Sequence, residues 1–500
     1  MTSLAPALKP SAVLGLLSLA MLLIAIAIFV SWGVALSALL LICGALIAVA
    51  PILALSLSSM TLSYFVFVTF LVGTIQYYSG IAASSYLGFL ALALMLVHIG
   101  FAVGRTMLTV SFSTGLVVLI ILYSVITSIS ANHPLQHSML ALIVYFAPFT
   151  LCCFLPSFFV TEEGLVTLRR LIFVFALLPL VQVWFAVHQR LVLGQGTTSW
   201  DSVTGTFGGS ILGTGPNTVL MISLIISTLL IIFLSRRGFV SRGTLIAVII
   251  AVVVSTALGE TKAMFIMMPL ALLVQNARQV RQRPVLLVVG ALLLLGGLVA
   301  MQAWYEMFNY GARYGEQVQM TFTERAASVW ENQTGSQVKL DLYDRRTRLE
   351  TLVFWDQATA SDYFTRIFGA GLGASRSGFT GDGSAAAIYS AEVLNTTAVS
   401  QLLWDGGIVL LLLFTLIFLT AIARLQIAFF KAESEGARDF IVTIQAALLI
   451  LLGSIFYKNV LLEHLAMQSL AGFILCIAFL PTMFFDKIFE SVREDTISRC

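Results

Sequence analysis

The sequence predicts an all-α protein that crosses a membrane many times. Of its 500 residues, 59% are hydrophobic and only 10% are charged, whereas a soluble domain carries about 25% charged residues. The mean hydropathy is +0.99. Apolar runs of the length that spans a bilayer as a helix, about 20 residues, follow one another along most of the chain. A soluble globular fold is therefore excluded, and length does not indicate the number of domains.

About 14 apolar segments qualify as candidate transmembrane helices. They lie near residues 12–31, 34–56, 61–79, 83–103, 108–129, 138–160, 169–189, 211–234, 243–259, 262–276, 284–303, 398–423, 440–461 and 466–484. We expect the first to be a retained helix, because no small-residue cleavage site precedes a polar mature start. The predicted organisation is helices 1–11 within residues 1–303, a large loop at 304–397, helices 12–14 within 398–484, and a tail at 485–500.

The positions of Lys and Arg predict the orientation. With the N-terminus in the cytoplasm, more than half of the 27 Lys and Arg residues fall in cytoplasmic segments. Of the Lys and Arg residues, the short outer loops then hold only Arg190, Lys262 and Lys458. Long loops translocate regardless of charge, so the loop at 304–397 does not disturb this count. We predict an N-in/C-in topology with 304–397 as a periplasmic loop that contains amphipathic helices.

The stretch Leu258–Phe265 places two charges between short apolar runs. If Arg278 lies at the inner surface, a helix rising about 1.5 Å per residue leaves Glu260 and Lys262 a few ångströms below the outer surface. Ionisable side chains at that depth usually face a polar cavity or a partner. A hairpin tip with local bilayer thinning is the alternative.

The loop after the seventh span is rich in Gly, Ser and Thr. Arg190 ends the preceding helix, and Trp200 and Asp201 follow. Gly208 and Gly209 would let backbone N–H groups approach an anionic or sugar ligand closely. The alternative is an interfacial loop in which Arg190 snorkels beside an aromatic belt.

The large outer loop carries a cationic cluster. Residues 341–356 predict an amphipathic helix on or near the membrane, with Trp355 on its apolar face. Arg345 and Arg348 lie next to that face, and arginine binds phosphate oxygens through paired hydrogen bonds. A lipid-linked phosphate would suit this cluster. Ordinary i,i+4 ion pairs with the neighbouring aspartates are the alternative.

Further polar features flank the twelfth span. The run at 368–376 predicts a tight glycine turn beside Arg376, but no nucleotide site, because a βαβ context is lacking. Glu392 lies just outside the span. Asp405 lies about ten residues inside it, where a charge is costly unless it faces the bundle interior. An interhelical hydrogen bond is the structural alternative for Asp405. A surface pair is expected near the last outer loop, among Lys458, Glu463 and His464.

The cysteines point to no metal site. The five cysteines show no metal-like spacing, and most lie within apolar runs, so we expect buried free thiols. The net charge of +3 says little about partners, because what matters is where the Lys and Arg residues lie. No nucleic-acid partner is expected.

Taken in order, the outer motifs resemble those of the O-antigen ligase and Wzy-type polysaccharide polymerase superfamily over roughly residues 170–425. The similarity rests on T-G-T-F-G-G-S…G-P-N-T (204–218), T-K-A (261–263), R-x₆-W ending at Trp355, F-G-A-G-L-G (368–373) and Q-L-L-W-D-G-G-I-V-L-L-L-L-F (401–414). Asp405 stands where the family usually has Glu, and Lys262 stands where it has Arg. Ligases of the superfamily commonly carry His-Asn nine residues before the acidic position, where this chain has Thr396 and Thr397. That departure favours a polymerase.

The resemblance implies an enzyme of the bacterial inner membrane that polymerises polyprenyl-diphosphate-linked oligosaccharide repeat units into exopolysaccharide, capsule or O-antigen. A sugar hydroxyl attacks the anomeric carbon, polyprenyl diphosphate leaves, and direct displacement inverts that carbon, with no metal or cofactor. The implied bases, which stay unranked, are Glu260, Asp201, Glu392 and Asp405. The implied diphosphate ligands are Lys262, Arg348, Arg190, Arg345 and Arg376. The implied glycan and loop contacts are Trp200, Gly208, Gly209 and Trp355. A chain-length regulator and a flippase are the implied protein partners.

Three other functions stay open. A ligase would transfer the polymer to a lipid A–core acceptor and differs only in that acceptor. A lipid-linked oligosaccharide flippase should hold ionisable residues near the bilayer midplane, often on broken helices. An assembly scaffold for a secretion machine would use the charged loop at 304–397, but would leave Glu260 and Lys262 unexplained.

Overall fold

The computed structural model describes residues 55–81, 84, 86–103, 112–194, 203–209, 216–259, 263–283, 285, 288, 290, 296, 348–378, 381–389 and 394–488. The predicted span at 12–31, nearly all of that at 34–56 and most of that at 284–303 lie outside these residues. So do six predicted site residues: Trp200, Asp201, Glu260, Lys262, Arg345 and Glu392.

The described chain is mostly helical. Its α-helices, in order, are α1 Leu57–Val66, α2 Gly73–Ser79, α3 Tyr86–Val103, α4 Phe112–Ser130, α5 Leu135–Phe146, α6 Leu151–Phe159, α7 Glu162–Val187, α8 Asn217–Arg236, α9 Arg242–Gly259, α10 Met264–Gln275, α11 Ala277–Gln282, α12 Arg348–Ala358, α13 Tyr363–Phe368, α14 Ala386–Tyr389, α15 Ala398–Lys431, α16 Glu435–Ser454, α17 Val460–Glu463 and α18 Leu465–Ala478. Short π-helical or 3₁₀ turns lie at Phe67–Val72, Ala147–Thr150 and His188–Val192. Two-residue strands, β1 Ser377–Gly378 and β2 Gly381–Asp382, pair antiparallel, with Ser377 opposite Asp382.

Seven helical runs in the described residues are long and apolar enough to cross a membrane. They are Leu57–Ser79, Gln136–Phe159, Glu162–Val192, Asn217–Arg236, Arg242–Gly259, Ala398–Lys431 and Glu435–Ser454. Four shorter apolar helices accompany them, at Tyr86–Gly100, Thr114–Ser130, Met264–Gln275 and Leu465–Ala478. These helices agree with an all-α membrane protein, while the count of fourteen spans and the N-in/C-in orientation stay predictions.

The chain divides into two compact units, residues 1–65 with 89–108 and residues 66–88 with 109–500. In the described part of the first unit, the Thr61 hydroxyl contacts the Met95 sulfur at 4.0 Å. The candidate functional site lies within the second unit.

Two helices form the core of the second unit. Every residue of α18 is buried, and α8 is buried over almost its whole length. Helix α8 packs against α7, α9, α10 and α16, while α18 packs against α6 and α16. A helix that is apolar on all sides belongs in the interior of a bundle, because each face can be removed from water only by a neighbour.

Helix α15 is broken at Gly407, where φ is 65° and ψ is −167°. Glycine reaches this left-handed region without the Cβ clash that other residues suffer. The break leaves a short segment, Ala398–Gly406, followed by Ile408–Lys431. At about 1.5 Å per residue, the second segment alone can cross the roughly 30 Å hydrocarbon core. Asp405 therefore ends a separate short segment, and does not lie ten residues along a continuous span as the sequence led us to expect.

Helix α12 buries its apolar face in the protein. Phe354 and Trp355 are only 4% and 6% exposed. The Phe354 ring lies 5.3 Å from that of Tyr389 and 6.1 Å from that of Trp404, between ring centroids. Aromatic side chains of α14 and α15 cover Phe354. Leu352 and Val353 of the same helix are half-buried, and the position of this helix on or near the membrane stays a prediction.

Candidate functional site

Asp405 is fully buried, and three donors bind its carboxylate. Oδ2 accepts hydrogen bonds from the Tyr145 hydroxyl at 2.9 Å and from the Gly373 N–H at 3.0 Å. Oδ1 accepts one from the Ser375 N–H at 2.8 Å. A buried carboxylate needs such partners, because nothing else replaces the water that it has lost. Since Tyr145 lies on α5 and Asp405 on α15, the predicted interhelical hydrogen bond is confirmed.

The segment from Gly369 to Arg376 is the tight glycine turn that the sequence predicts. Gly369, Gly371 and Gly373 have φ values of +82°, +100° and +85°. A Cβ added to Gly371 would lie 2.5 Å from the Cβ of His133, so the turn is also too close to α5 and its preceding residues for a side chain. The two N–H groups that bind Asp405 fix the turn, and Arg376 follows at its end.

Tyr145 is positioned where its own helix lacks a backbone hydrogen bond. Pro148 has no N–H to donate to the Val144 carbonyl four residues earlier, so a helical hydrogen bond is missing there. The amide of Gln468 on α18 supplies the donor instead, with Nε2 2.7 Å from the Val144 oxygen. The same Nε2 lies 3.5 Å from the Tyr145 carbonyl oxygen. The helix thus ends in a fixed geometry with the phenol directed at Asp405.

A chain of polar contacts runs from Asp405 to a surface ion pair. The Gln401 Nε2 donates to the Tyr145 hydroxyl at 2.6 Å and to Oε1 of Glu463 at 2.7 Å. The same carboxylate lies 3.3 Å from Nε of Arg376. The Arg376 guanidinium also lies 5.5 Å from the centroid of the Tyr145 ring, a distance at which a cation is attracted to the ring face. Below, this ion pair is called the Arg376–Glu463 pair.

The Arg376–Glu463 pair is the part of this network that solvent reaches. The side chains of Arg376 and Glu463 are 24% and 28% exposed, whereas Asp405 is not exposed at all. Burial lowers the pKa of Arg376, but the nearby Tyr145, Glu463 and Asp405 groups raise it more, so its pKa lies above its ordinary value. Arg376 is therefore a permanent cation beside a carboxylate, at the surface of a buried polar network.

A second glycine-containing segment, at 203–209, is clamped by two glutamines. Oε1 of Gln189 accepts from the N–H groups of Thr204 and Gly205 at 3.0 and 2.9 Å, and its Nε2 donates to the Gly205 carbonyl at 2.7 Å. Oε1 of Gln182 accepts from the Thr206 N–H at 2.8 Å. In an exposed loop, water would form these hydrogen bonds with the backbone. Here the two side-chain amides form them, so the segment can be buried.

The dipeptide Glu463–His464 connects the two glycine segments. Glu463 binds Arg376 at the end of one, while Nε2 of His464 lies 2.7 Å from the carbonyl oxygen of Phe207 in the other. Burial lowers the pKa of His464 to about 4. The imidazole is therefore neutral near pH 7 and donates its Nε2 proton to that carbonyl.

Protein, and not an open ligand space, surrounds Gly208. Its φ is +90°, and an added Cβ would lie 2.4 Å from Oε1 of Gln76 and 3.3 Å from Cα of Gly73. Thr204 donates its hydroxyl proton to the Gly208 carbonyl at 2.5 Å. Gly208 is therefore needed for close packing, and its contact with a ligand stays a prediction. Gly209 has a φ of +105° and is half-buried, and its contact with a glycan stays a prediction.

The remaining predicted residues are dispersed. Arg190 lies in the π-helical turn after α7 and is half-buried. Arg348 begins α12. Trp355 is buried, with the Arg366 guanidinium 5.7 Å from its ring centroid, so it is covered by protein. Glu260 and Lys262 lie outside the described residues. Just before them in the chain, the Gly259 carbonyl oxygen lies 3.4 Å from Nδ2 of Asn217. Of the predicted site residues, the contacts above join only Asp405 and Arg376.

Sequence reasoning missed Tyr145, Gln401 and Gln468 and treated Glu463 as a surface residue. A signal was available for the two glutamines, since an amide within an apolar span is costly in a membrane and needs a partner. No comparable signal marks Tyr145, because tyrosine is common in helices of this kind. The binding of Glu463 to Arg376 joins two segments that are far apart in sequence.

No protein-family model matches this sequence, and a comparison with curated proteins finds no significant relative.

Proposed function

We propose that this protein is a glycosyltransferase that joins polyprenyl-diphosphate-linked oligosaccharide repeat units at the outer face of the bacterial inner membrane. One observation carries the proposal: the Arg376–Glu463 pair places a cation and a carboxylate side by side, partly open to solvent, on a network organised by Asp405. Transfer of a glycan from a diphosphate needs a cation for the leaving group and an acceptor for the hydroxyl proton. The motif resemblance adds support, because Asp405 stands at the family's acidic position.

In the proposed mechanism, the donor's diphosphate binds Arg376 and displaces Glu463 from it. The oxygen of an acceptor sugar hydroxyl then attacks the anomeric carbon, and Glu463 takes the hydroxyl proton. The bond from the anomeric carbon to the diphosphate oxygen breaks, and its electron pair leaves with polyprenyl diphosphate. A single displacement of this kind inverts the anomeric carbon. The reaction uses no cofactor, since the substrate carries its own leaving group.

Asp405 is proposed as a positioning residue and not as the base. Its carboxylate is fully buried and already accepts three hydrogen bonds, so it orients the turn that carries Arg376. The other candidate bases from the sequence stay predictions: Glu260, Asp201 and Glu392. The same holds for the other candidate diphosphate ligands: Lys262, Arg190, Arg345 and Arg348.

A lipid-linked oligosaccharide transporter is the second candidate. The observation that favours it is the break at Gly407 beside the buried Asp405, because transporters often build their sites from interrupted helices. A ligase shares all of the proposed chemistry and differs only in the acceptor.

The proposal is tested by deleting the gene in the bacterium that encodes it and restoring variants. Arg376→Ala and Glu463→Gln remove the two proposed functional groups. Arg366→Ala and Asp356→Asn are the matched controls, because Arg366 and Asp356 form another ion pair within the same 304–397 segment. The length of the lipid-linked and exported glycan is measured by gel electrophoresis, together with the amount of protein in the membrane.

We expect the deletion strain to accumulate single repeat units and both control variants to restore long polymer. Glu463→Gln should lower the rate of polymerisation by on the order of 100-fold, the usual effect of losing a general base. Long polymer from both Arg376→Ala and Glu463→Gln at normal protein levels would overturn the proposal. Full-length polymer that stays lipid-linked in the deletion strain would indicate a ligase, and repeat units confined to the cytoplasmic leaflet a transporter.

A further inference from the structure

Helix α13 exposes its large apolar side chains, and its polar side chains are no more exposed than these. Tyr363, Phe364 and Ile367 are 73%, 48% and 40% exposed. Thr365 and Arg366, between them in the sequence, are less exposed. A helix on a water-facing surface shows the opposite pattern, and a cluster of exposed large apolar side chains marks an interaction surface.

The backbone of α13 is held firmly, so this exposure belongs to the fold. Asp362 caps its first turn by accepting from the N–H groups of Phe364 and Thr365, both at 3.1 Å. At the other end the helix lies against the break in α15, where a Cβ added to Gly407 would be 2.2 Å from the Ile367 carbonyl oxygen. The apolar side chains therefore face outward from a fixed platform.

Helix α13 packs where an exposed apolar face of the neighbouring candidate span begins. After the break, α15 exposes Ile408, Leu412, Leu416 and Leu419, at 37%, 62%, 41% and 49%. These positions recur every three or four residues and therefore share one face of the helix. In a membrane-spanning helix, such an exposed apolar face lies against lipid. Helix α13 packs on α15 at the break, where this face begins. Lipid that covers this face of α15 would therefore also reach α13.

We propose that α13 inserts into the surface of the bilayer, with Tyr363, Phe364 and Ile367 among the lipid chains. The partner is lipid and not protein, because α13 packs at the point where the exposed apolar face of α15 begins. Tyrosine and phenylalanine are also suited to the membrane interface, where an apolar ring meets a polar boundary. The polar neighbours Asp362 and Arg366 would lie at the level of the head groups.

This insertion would place the Arg376–Glu463 pair close to the lipid surface. The glycine turn leads from the end of α13 at Phe368 directly to Arg376, so a helix held at the lipid surface holds the guanidinium near it. The next step alone rests on the proposed function. If that function holds, a position near the lipid surface brings Arg376 to the diphosphate of a lipid-linked substrate whose hydrocarbon chain stays in the bilayer.

The test measures the environment of single cysteines labelled with a bimane fluorophore. Cys43 and Cys500 are replaced by serine, while Cys152, Cys153 and Cys476 are buried and stay. The label is placed at Phe364→Cys, with Asp382→Cys on the exposed strand β2 as the control. The full-length protein is reconstituted in vesicles of phosphatidylethanolamine and phosphatidylglycerol. Quenching is then measured separately with nitroxide-labelled lipid and with aqueous iodide.

We expect lipid-borne nitroxide to quench the label at position 364 at least twofold more than the label at 382, and iodide to show the reverse order. Equal quenching of both labels by iodide, with no response of position 364 to nitroxide lipid, would overturn the proposal. If Phe364→Cys does not assemble, Tyr363→Cys gives the same reading at a more exposed position. Quenching needs no substrate. The insertion of α13 can therefore be disproved while glycan transfer is observed, and glycan transfer can be disproved while insertion is observed.

Discussion

The phenol of Tyr145 donates a hydrogen bond of 2.9 Å to the carboxylate of Asp405, although the two residues are 260 positions apart in the chain. Both side chains are fully buried. A buried donor or acceptor that loses its partner costs about 1–3 kcal/mol, and more when it is charged. This contact therefore ties the end of α5 to the short first segment of α15, and through Asp405 to the glycine turn.

Replacing Asp405 with Ala should destabilise the fold strongly. Three donors lose their acceptor in the interior, so we expect a loss on the order of 3 kcal/mol or more. The measurement is the midpoint of thermal unfolding in detergent micelles. Asp362→Ala is the matched control, because it removes an exposed helix cap, which is usually worth about 1 kcal/mol. Equal midpoints for the two variants would contradict the assigned role of Asp405.

Tyr145→Phe and Gln401→Leu should show coupled effects. The Tyr145 hydroxyl accepts from Gln401 and donates to Asp405, so either substitution breaks the same chain of contacts. We expect each to cost about 1–2 kcal/mol, and the double variant to cost less than their sum by about 0.5 kcal/mol or more. A double-mutant cycle of unfolding midpoints measures this coupling, with Tyr363→Phe, at an exposed ring, as the control. Strictly additive losses would show that the two side chains act independently.

Gly371→Ala should cost more stability than Gly381→Ala. Both glycines have a φ of +100°, so both substitutions carry a similar backbone strain, about 1–2 kcal/mol. Only Gly371 also meets a neighbour, since its added Cβ would lie 2.5 Å from the Cβ of His133, whereas nothing lies within 4 Å at Gly381. The difference between their unfolding midpoints isolates the clash. A midpoint for Gly371→Ala at or above that of Gly381→Ala would mean that the turn does not pack closely on this neighbour.

Stability should fall as the pH drops from about 6.5 to about 4. Burial lowers the pKa of His464 to about 4, from an ordinary value of 6.5. Below about pH 6.5 the unfolded chain binds a proton that the folded chain does not, so neutral His464 contributes its full stability only above that pH. The loss is at most about 1.4 kcal/mol per pH unit from this group.

His464→Gln tests the origin of that pH dependence. Glutamine keeps a neutral donor for the Phe207 carbonyl but does not titrate. The slope of the unfolding midpoint against pH, between pH 4 and 6.5, should therefore be shallower in the variant than in the original protein, with similar midpoints at pH 7.5. Identical slopes would assign the acid sensitivity to other groups.

Local features of the structure follow from local features of the sequence. The apolar runs predict most of the described helices, and the spacing of glycines at 369, 371 and 373 predicts the turn before Arg376. At Trp355 on α12 and at Gly208, the structure shows packing against protein where the sequence suggested an outside partner. An apolar helix face and a close backbone approach can serve protein packing or an outside partner, and only the neighbours distinguish the two.

The sequence by itself determines the membrane class, the positions of most described helices and the glycine turn before Arg376, because hydrophobic period and glycine chemistry act over a few residues. Only the tertiary structure decides that Asp405 meets Tyr145 and that Glu463 meets Arg376. Contacts of that kind join segments far apart in the chain. They depend on how helices pack, and in this packing a tyrosine or glutamine of an apolar span becomes part of a polar network.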